Sequence, residues 1–65
     1  MAQRLYRVTF EWFLDNRWQR NSFVRDVMVK GGAEQAIKVA TQREKRDNGP
    51  ARIRAEAVQL IGAED

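Results

Sequence analysis

From Leu5 to Leu14 apolar and polar residues alternate: Tyr6, Val8, Phe10, Trp12 and Leu14 fall on one side of an extended backbone, Arg7, Thr9, Glu11 and Phe13 on the other. Successive side chains of an extended chain point to opposite faces, so a period of two predicts a strand, here over about 4–14. Asp15-Asn16 follows, a pair that tolerates the positive φ of a tight hairpin turn, although the glycine usual there is missing and a slightly longer loop stays open. A two-residue turn sets Phe13 opposite Trp18, Glu11 opposite Arg20, Thr9 opposite Ser22 and Val8 opposite Phe23. The second strand is expected over about 17–30, with Phe23, Val27 and Val29 on the core side and Val24, Asp26 and Met28 facing away. Arg25 interrupts that core side, opposite Tyr6. It requires either a place at the sheet margin, its stem covering apolar surface, or a bulge that resets the alternation.

Gly31-Gly32 ends this pattern and the period changes. Ala33, Ala36, Ile37 and Ala40, flanked by Val39 and Thr41, recur at helical spacing and predict a helix over about 33–46. Its stripe is narrow and built of small side chains, so the helix must lie close against a sheet whose aromatics supply the volume. The basic residues of Gln42–Arg46 suit the negative end of the helix dipole, and Asp47-Asn48-Gly49-Pro50 is a stop signal. Alternation resumes over about 51–61, with Ile53, Ala55 and Ala57 on one side and Arg52, Arg54 and Glu56 on the other. Val58 and Leu60 then fall out of phase, which a bulge near Ala57, or a strand end leaving the sheet, would produce. Residues 62–65 read as a loose tail. The order strand, strand, helix, strand predicts a two-layer α+β fold, β-β-α-β, with one helix across one face of a three-stranded sheet. The third strand can lie beside the first, in the middle, or beside the second at an edge; the first strand, the most hydrophobic segment, is favoured for the middle.

Composition changes this picture mainly by exclusion. The chain has 65 residues, room for one small domain over 1–65, with 43% hydrophobic and 32% charged residues, as in folded soluble domains. It has no cysteine and no histidine, which removes disulfides, thiolate and Ser-His-Asp catalysis, and the usual zinc ligands. No metal site and no cofactor motif is expected. No apolar run reaches the ~20 residues of a bilayer span, and Met1–Arg4 is unlike a signal peptide, so the expected compartment is a cytoplasm without membrane contact. The net charge is +3, and nine of the twelve basic residues are arginine, the side chain suited to carboxylates, phosphates and aromatic faces.

The acids are scattered, and the flat face of a helix-backed sheet offers no cleft in which a pair of them could work, so no catalytic residue is expected. The Gly31-Gly32 pair lacks the remainder of a phosphate-cradling motif and reads as a strand-to-helix turn. The remaining signal is basic residues interleaved with aromatics. The sheet face away from the helix is expected to carry Arg7, Thr9, Glu11, Phe13, Trp18, Arg20, Val24, Asp26, Met28, Arg52, Arg54 and Glu56. Apolar groups rimmed by charge on such a face predict a contact surface. Phe13 and Trp18 are its expected anchors and Arg7, Arg20, Arg52 and Arg54 its charged contacts. Two ligands suit it: a protein, or single-stranded nucleic acid stacking its bases on the aromatics. A second copy pairing through edge strands or through the same face would hide Val24, Met28 and the aromatics, making a homodimer possible.

From Lys30 to Ile61, the AEQAIKVA helix, the Gly49-Pro50 loop and the alternating ARIRAEAV strand resemble the short inhibitor of bacterial RNA polymerase made by T7-like phages, one of the small phage early proteins. The likeness covers about half of the chain. It departs in charge, because that family uses an acidic strip and this chain is basic. The resemblance implies a non-enzymatic phage or mobile-element protein of host takeover, which binds a host protein or protein–nucleic acid complex in the bacterial cytoplasm and inhibits or modulates it by occlusion. A nucleic-acid-binding protein using the same basic and aromatic residues is the alternative.

Overall fold

The computed structural model describes residues 3–49 and 52–64. Its elements are β1 (Gln3–Leu14), β2 (Arg17–Val29), α1 (Ala33–Asn48) and β3 (Ile53–Glu64). They form an α+β fold, an antiparallel three-stranded sheet of order β2-β1-β3 with α1 packed on one face. β1 is central because its Tyr6, Val8 and Phe10 need neighbours on both flanks, and all three are buried. Val27 and Val29 of β2, Ile53 of β3, and Ala36 and Ala40 of α1 complete the buried core. The small helical side chains bring α1 close to the sheet, while Phe10, stacked on Phe23 with ring centroids 5.0 Å apart, fills the volume the alanines leave.

The β1–β2 turn has Asp15 and Asn16 both at positive φ, 54° and 64°, as a two-residue type I′ turn requires. From it the register runs as expected only as far as Trp12↔Gln19. There Arg20, Asn21 and Ser22 stand opposite the single residue Glu11, Asn21 has a φ of 54°, and pairing resumes at Phe10↔Phe23. Thr9 therefore pairs with Val24 rather than Ser22, and Val8 with Arg25 rather than Phe23. Glu11 and Arg20 are not a ladder pair, and Arg25 is not opposite Tyr6. The disruption is repaired by side chains: Ser22 Oγ accepts from the Trp12 amide at 3.1 Å and donates to the Gln19 carbonyl. Arg25 keeps to the helix side at the sheet margin, over the Phe23 ring and paired with Glu44.

α1 runs two residues beyond its expected end, and Gly49, at φ 64°, terminates it. Pro50 and Ala51 lie outside the described residues. At the other end the Gly31 amide donates to Gln35 Oε1 at 2.6 Å. The helical stripe continues through Glu44, a charged residue that is nevertheless buried. β3 departs further from expectation. Glu56 is an extra residue between Ala55, opposite Phe10, and Ala57, opposite Thr9, so Ala57 moves to the open face and Val58 returns to the core side. Ile61 is a second extra residue, beyond which Gly62, Ala63 and Glu64 pair with Leu5, Arg4 and Gln3. Residues 62–64 thus belong to the sheet and are not a tail. Asp65 lies outside the described residues.

The molecule measures 43 × 20 × 14 Å. A helix of 16 residues is about 24 Å long and spans only part of such a sheet. Trp12 and Leu14, expected in the core, lie past its end and are 38% and 52% exposed, although Trp12 still packs edge-on against Phe23. Among the described residues no helix is long and apolar enough to cross a membrane.

Candidate functional site

The face that α1 leaves open falls into two halves. In the half toward the hairpin, Phe13 of β1 and Trp18 of β2 are a cross-strand pair with ring centroids 5.3 Å apart. The two arginines at the start of the third strand segment lie over them: the Arg52 guanidinium is 4.2 Å from the Phe13 centroid and that of Arg54 is 4.1 Å from the Trp18 centroid. Alternation puts both arginines on this face, and a backbone bond from the Phe13 amide to the Arg52 carbonyl, 3.0 Å long, fixes their height along β1. Guanidinium planes are attracted to aromatic faces, so the outermost layer here is arginine and the rings lie beneath it.

Carboxylates separate these cations. Glu11, directly opposite Arg54 in the β1–β3 ladder, pairs with its guanidinium. Glu11 is only 5% exposed, more deeply covered than its place on the open face suggests. Glu56, carried out of line by its bulge, reaches across β1 and accepts from Arg20 Nε at 3.1 Å and from the Asn21 amide at 3.0 Å. The two irregularities of the outer strands are therefore tied to each other over the central one. The Asn21 amide first, and then the Arg20 guanidinium, hold the Glu56 carboxyl below the usual carboxylate range.

In the other half, Arg7 and Asp26 are opposite each other and form a two-point ion pair, Nε to Oδ1 at 2.9 Å and Nη2 to Oδ2 at 3.2 Å. Hydrogen bonding to Arg7 lowers the Asp26 carboxyl and raises the guanidinium in turn. Val24 and Met28, 47% and 42% exposed, flank this pair on β2.

Of the six expected contact residues, Phe13, Trp18, Arg20, Arg52 and Arg54 are thus brought into one cluster. Arg7 shares the face but sits six residues along β1 from Phe13, about 20 Å away. Glu11, Glu56 and Asn21 organise the cluster and are missed as such by the sequence. The available signal was an acid at alternate positions among the arginines of one face. Among the described residues no three potential metal ligands converge.

No protein-family model matches this chain, and comparisons with curated proteins and with solved structures find no match either.

Proposed function

We propose that the chain is a small binding protein, without a reaction of its own, that acts by laying its open sheet face against a protein and occluding the surface it covers. The observation that carries this reading is the layering of the face: arginines lie over the aromatic rings, and Arg7, Arg20 and Arg54 each have their own carboxylate. A groove that tracks a phosphate backbone needs cations in excess and uncovered rings on which bases stack. A flat face with alternating charge, a central aromatic pair and exposed Val24 and Met28 suits a protein interface, where Trp and Arg are enriched. The setting, a phage or mobile-element protein directed at a complex in the host cytoplasm, belongs to the proposal on the strength of the sequence resemblance alone.

The test is affinity capture from bacterial lysate with the intact chain, with Arg52→Glu on the open face, and with Lys38→Glu on the exposed side of α1. The expected result is a stoichiometric protein that survives nuclease treatment, is retained by Lys38→Glu and is lost with Arg52→Glu. Its binding should weaken only modestly between about 50 and 200 mM salt. Material that disappears with nuclease, or binding that falls by orders of magnitude over that salt range, overturns the reading in favour of nucleic acid.

A further inference from the structure

A second surface lies around the corner from the open face, at the free edge of β2. The Phe13 amide bonds to the carbonyl of Arg52, just ahead of β3, so odd-numbered residues of β1 turn their backbone groups toward β3 and even-numbered ones toward β2. The β2 residues opposite those even positions, Phe23, Arg25 and Val27, therefore bond inward, and Val24, Asp26 and Met28 direct their backbone groups away from the sheet. In keeping with this, the Val24 carbonyl accepts from Arg25 Nη1 at 2.8 Å, a side chain lying along the edge. The run Phe23–Val29 is in unbroken register and has no proline, whereas the β3 edge is broken at Glu56 and again at Ile61. An edge of the first kind is a template for another strand, and one of the second kind is blunted.

This edge also borders a groove. A cleft of about 150 Å³ opens between β2 and α1, with Val27 and Ala40 as its apolar floor and Arg25, Arg43, Glu44 and Asp47 around it. Its carboxylates have arginines of their own: Glu44 is held by Arg25, Asp26 by Arg7 and Asp47 by Arg46. Arg43 has no carboxylate partner among the described residues.

We propose that this groove accepts an extended acidic segment of a partner protein as a fourth strand beside β2. Main-chain pairing to Val24, Asp26 and Met28 supplies affinity, and side chains at alternate positions supply selectivity. Those on the helix side meet the small apolar floor at Ala40 and the free charge of Arg43, where a carboxylate fits. Those on the other side lie beside the exposed Val24 and Met28, where an apolar residue fits. The site shares Val24 and Met28 with the open face but not its aromatic cluster, and it does not rest on the function proposed above.

The probe is the capped hexapeptide acetyl-Val-Glu-Val-Glu-Val-Glu-amide, titrated into the full chain labelled for amide NMR, beside two versions N-methylated at either the three valines or the three glutamates. Only one alternate set of peptide amides can face β2. The expected result is shifts and slowed exchange at Val24, Asp26 and Met28 with shifts at Ala40 and Arg43, and a loss of at least about tenfold in affinity for one methylated version and not for the other. Arg43→Glu, an exposed helical change, should reverse the preference between this peptide and its lysine counterpart. Equal binding of both methylated versions, shifts confined to Phe13, Trp18 and Arg52, or a thymidine oligonucleotide that moves the same amides at lower concentration overturns the proposal. So does concentration-dependent protection of those amides in the free protein, which would give the edge to a second copy.

Discussion

On the open face, Glu11 joins a buried position to a charge. It stands on the central strand, 5% exposed, where a carboxylate is costly unless paired, and Arg54 from the adjacent strand provides the pair while remaining half-exposed itself. Arg54 also covers Trp18, so the Glu11 carboxylate holds the guanidinium that lies over the ring. Replacing Glu11 with Gln keeps the shape and removes the charge. The expected loss is about 1.5–3 kcal/mol, the range of hydrogen bonds to charged groups, measured by urea denaturation. The indole fluorescence of the folded variant should change as well, once the guanidinium leaves the ring. An unaltered midpoint would mean that the pair contributes no net stability. The sequence places Glu11 on the correct face but does not reveal its burial, because its cover comes from Arg54, 43 residues away.

At the scale of elements, the hairpin combines a turn legible from two residues with a bulge whose place no local pattern discloses, since Arg25, the one sign of irregularity in β2, lies beyond it at the sheet margin. Asp15 and Asn16 are residue types that accept positive φ, and both adopt it. Glycine adopts that conformation without the Cβ penalty, so Asn16→Gly should stabilise the hairpin by a few tenths of a kcal/mol, read as a rise in the thermal midpoint. A fall would show that the Asn16 side chain does more than tolerate the turn. The bulge differs in origin. Arg20-Asn21-Ser22 fits an alternating strand as well as its neighbours do, and what opens the register is the combined demand of Phe10 on Phe23, of the Trp12 amide on Ser22 and of Glu56 on the Asn21 amide. Each of those partners belongs to another part of the chain. The out-of-phase Val58 and Leu60 signalled an irregularity near Ala57, and the extra residue there is Glu56, whose carboxylate reaches Asn21.

For the whole molecule, the ion pairs make stability depend on pH from the acid side. The Asp26 and Glu56 carboxyls are lowered in the folded protein, so the unfolded chain binds protons first as the pH falls. Their contribution is therefore complete above the ordinary carboxylate values near about 4 and is lost as the pH drops through the lowered ones. Thermal unfolding should show a lower midpoint for Glu56→Gln than for the parent at neutral pH, with the two curves converging in strong acid. An equally large gap at both ends of the range would mean that Glu56 acts by shape and not by charge. With neither histidine nor cysteine in the chain, no side chain of ordinary pKa adds a transition between about pH 5 and 9. By itself the sequence determined the type and order of the elements and the turn at Asp15-Asn16, favoured β1 for the centre and placed most of the open face, because period, backbone φ preference and face alternation are properties of short stretches. Only the tertiary structure decided where the register slips, that Glu11 and Glu44 are buried, that Trp12 and Leu14 escape the helix, and that arginines cover the rings. Those outcomes depend on the length of α1 relative to the sheet and on charges that meet only after three strands and a helix have been assembled.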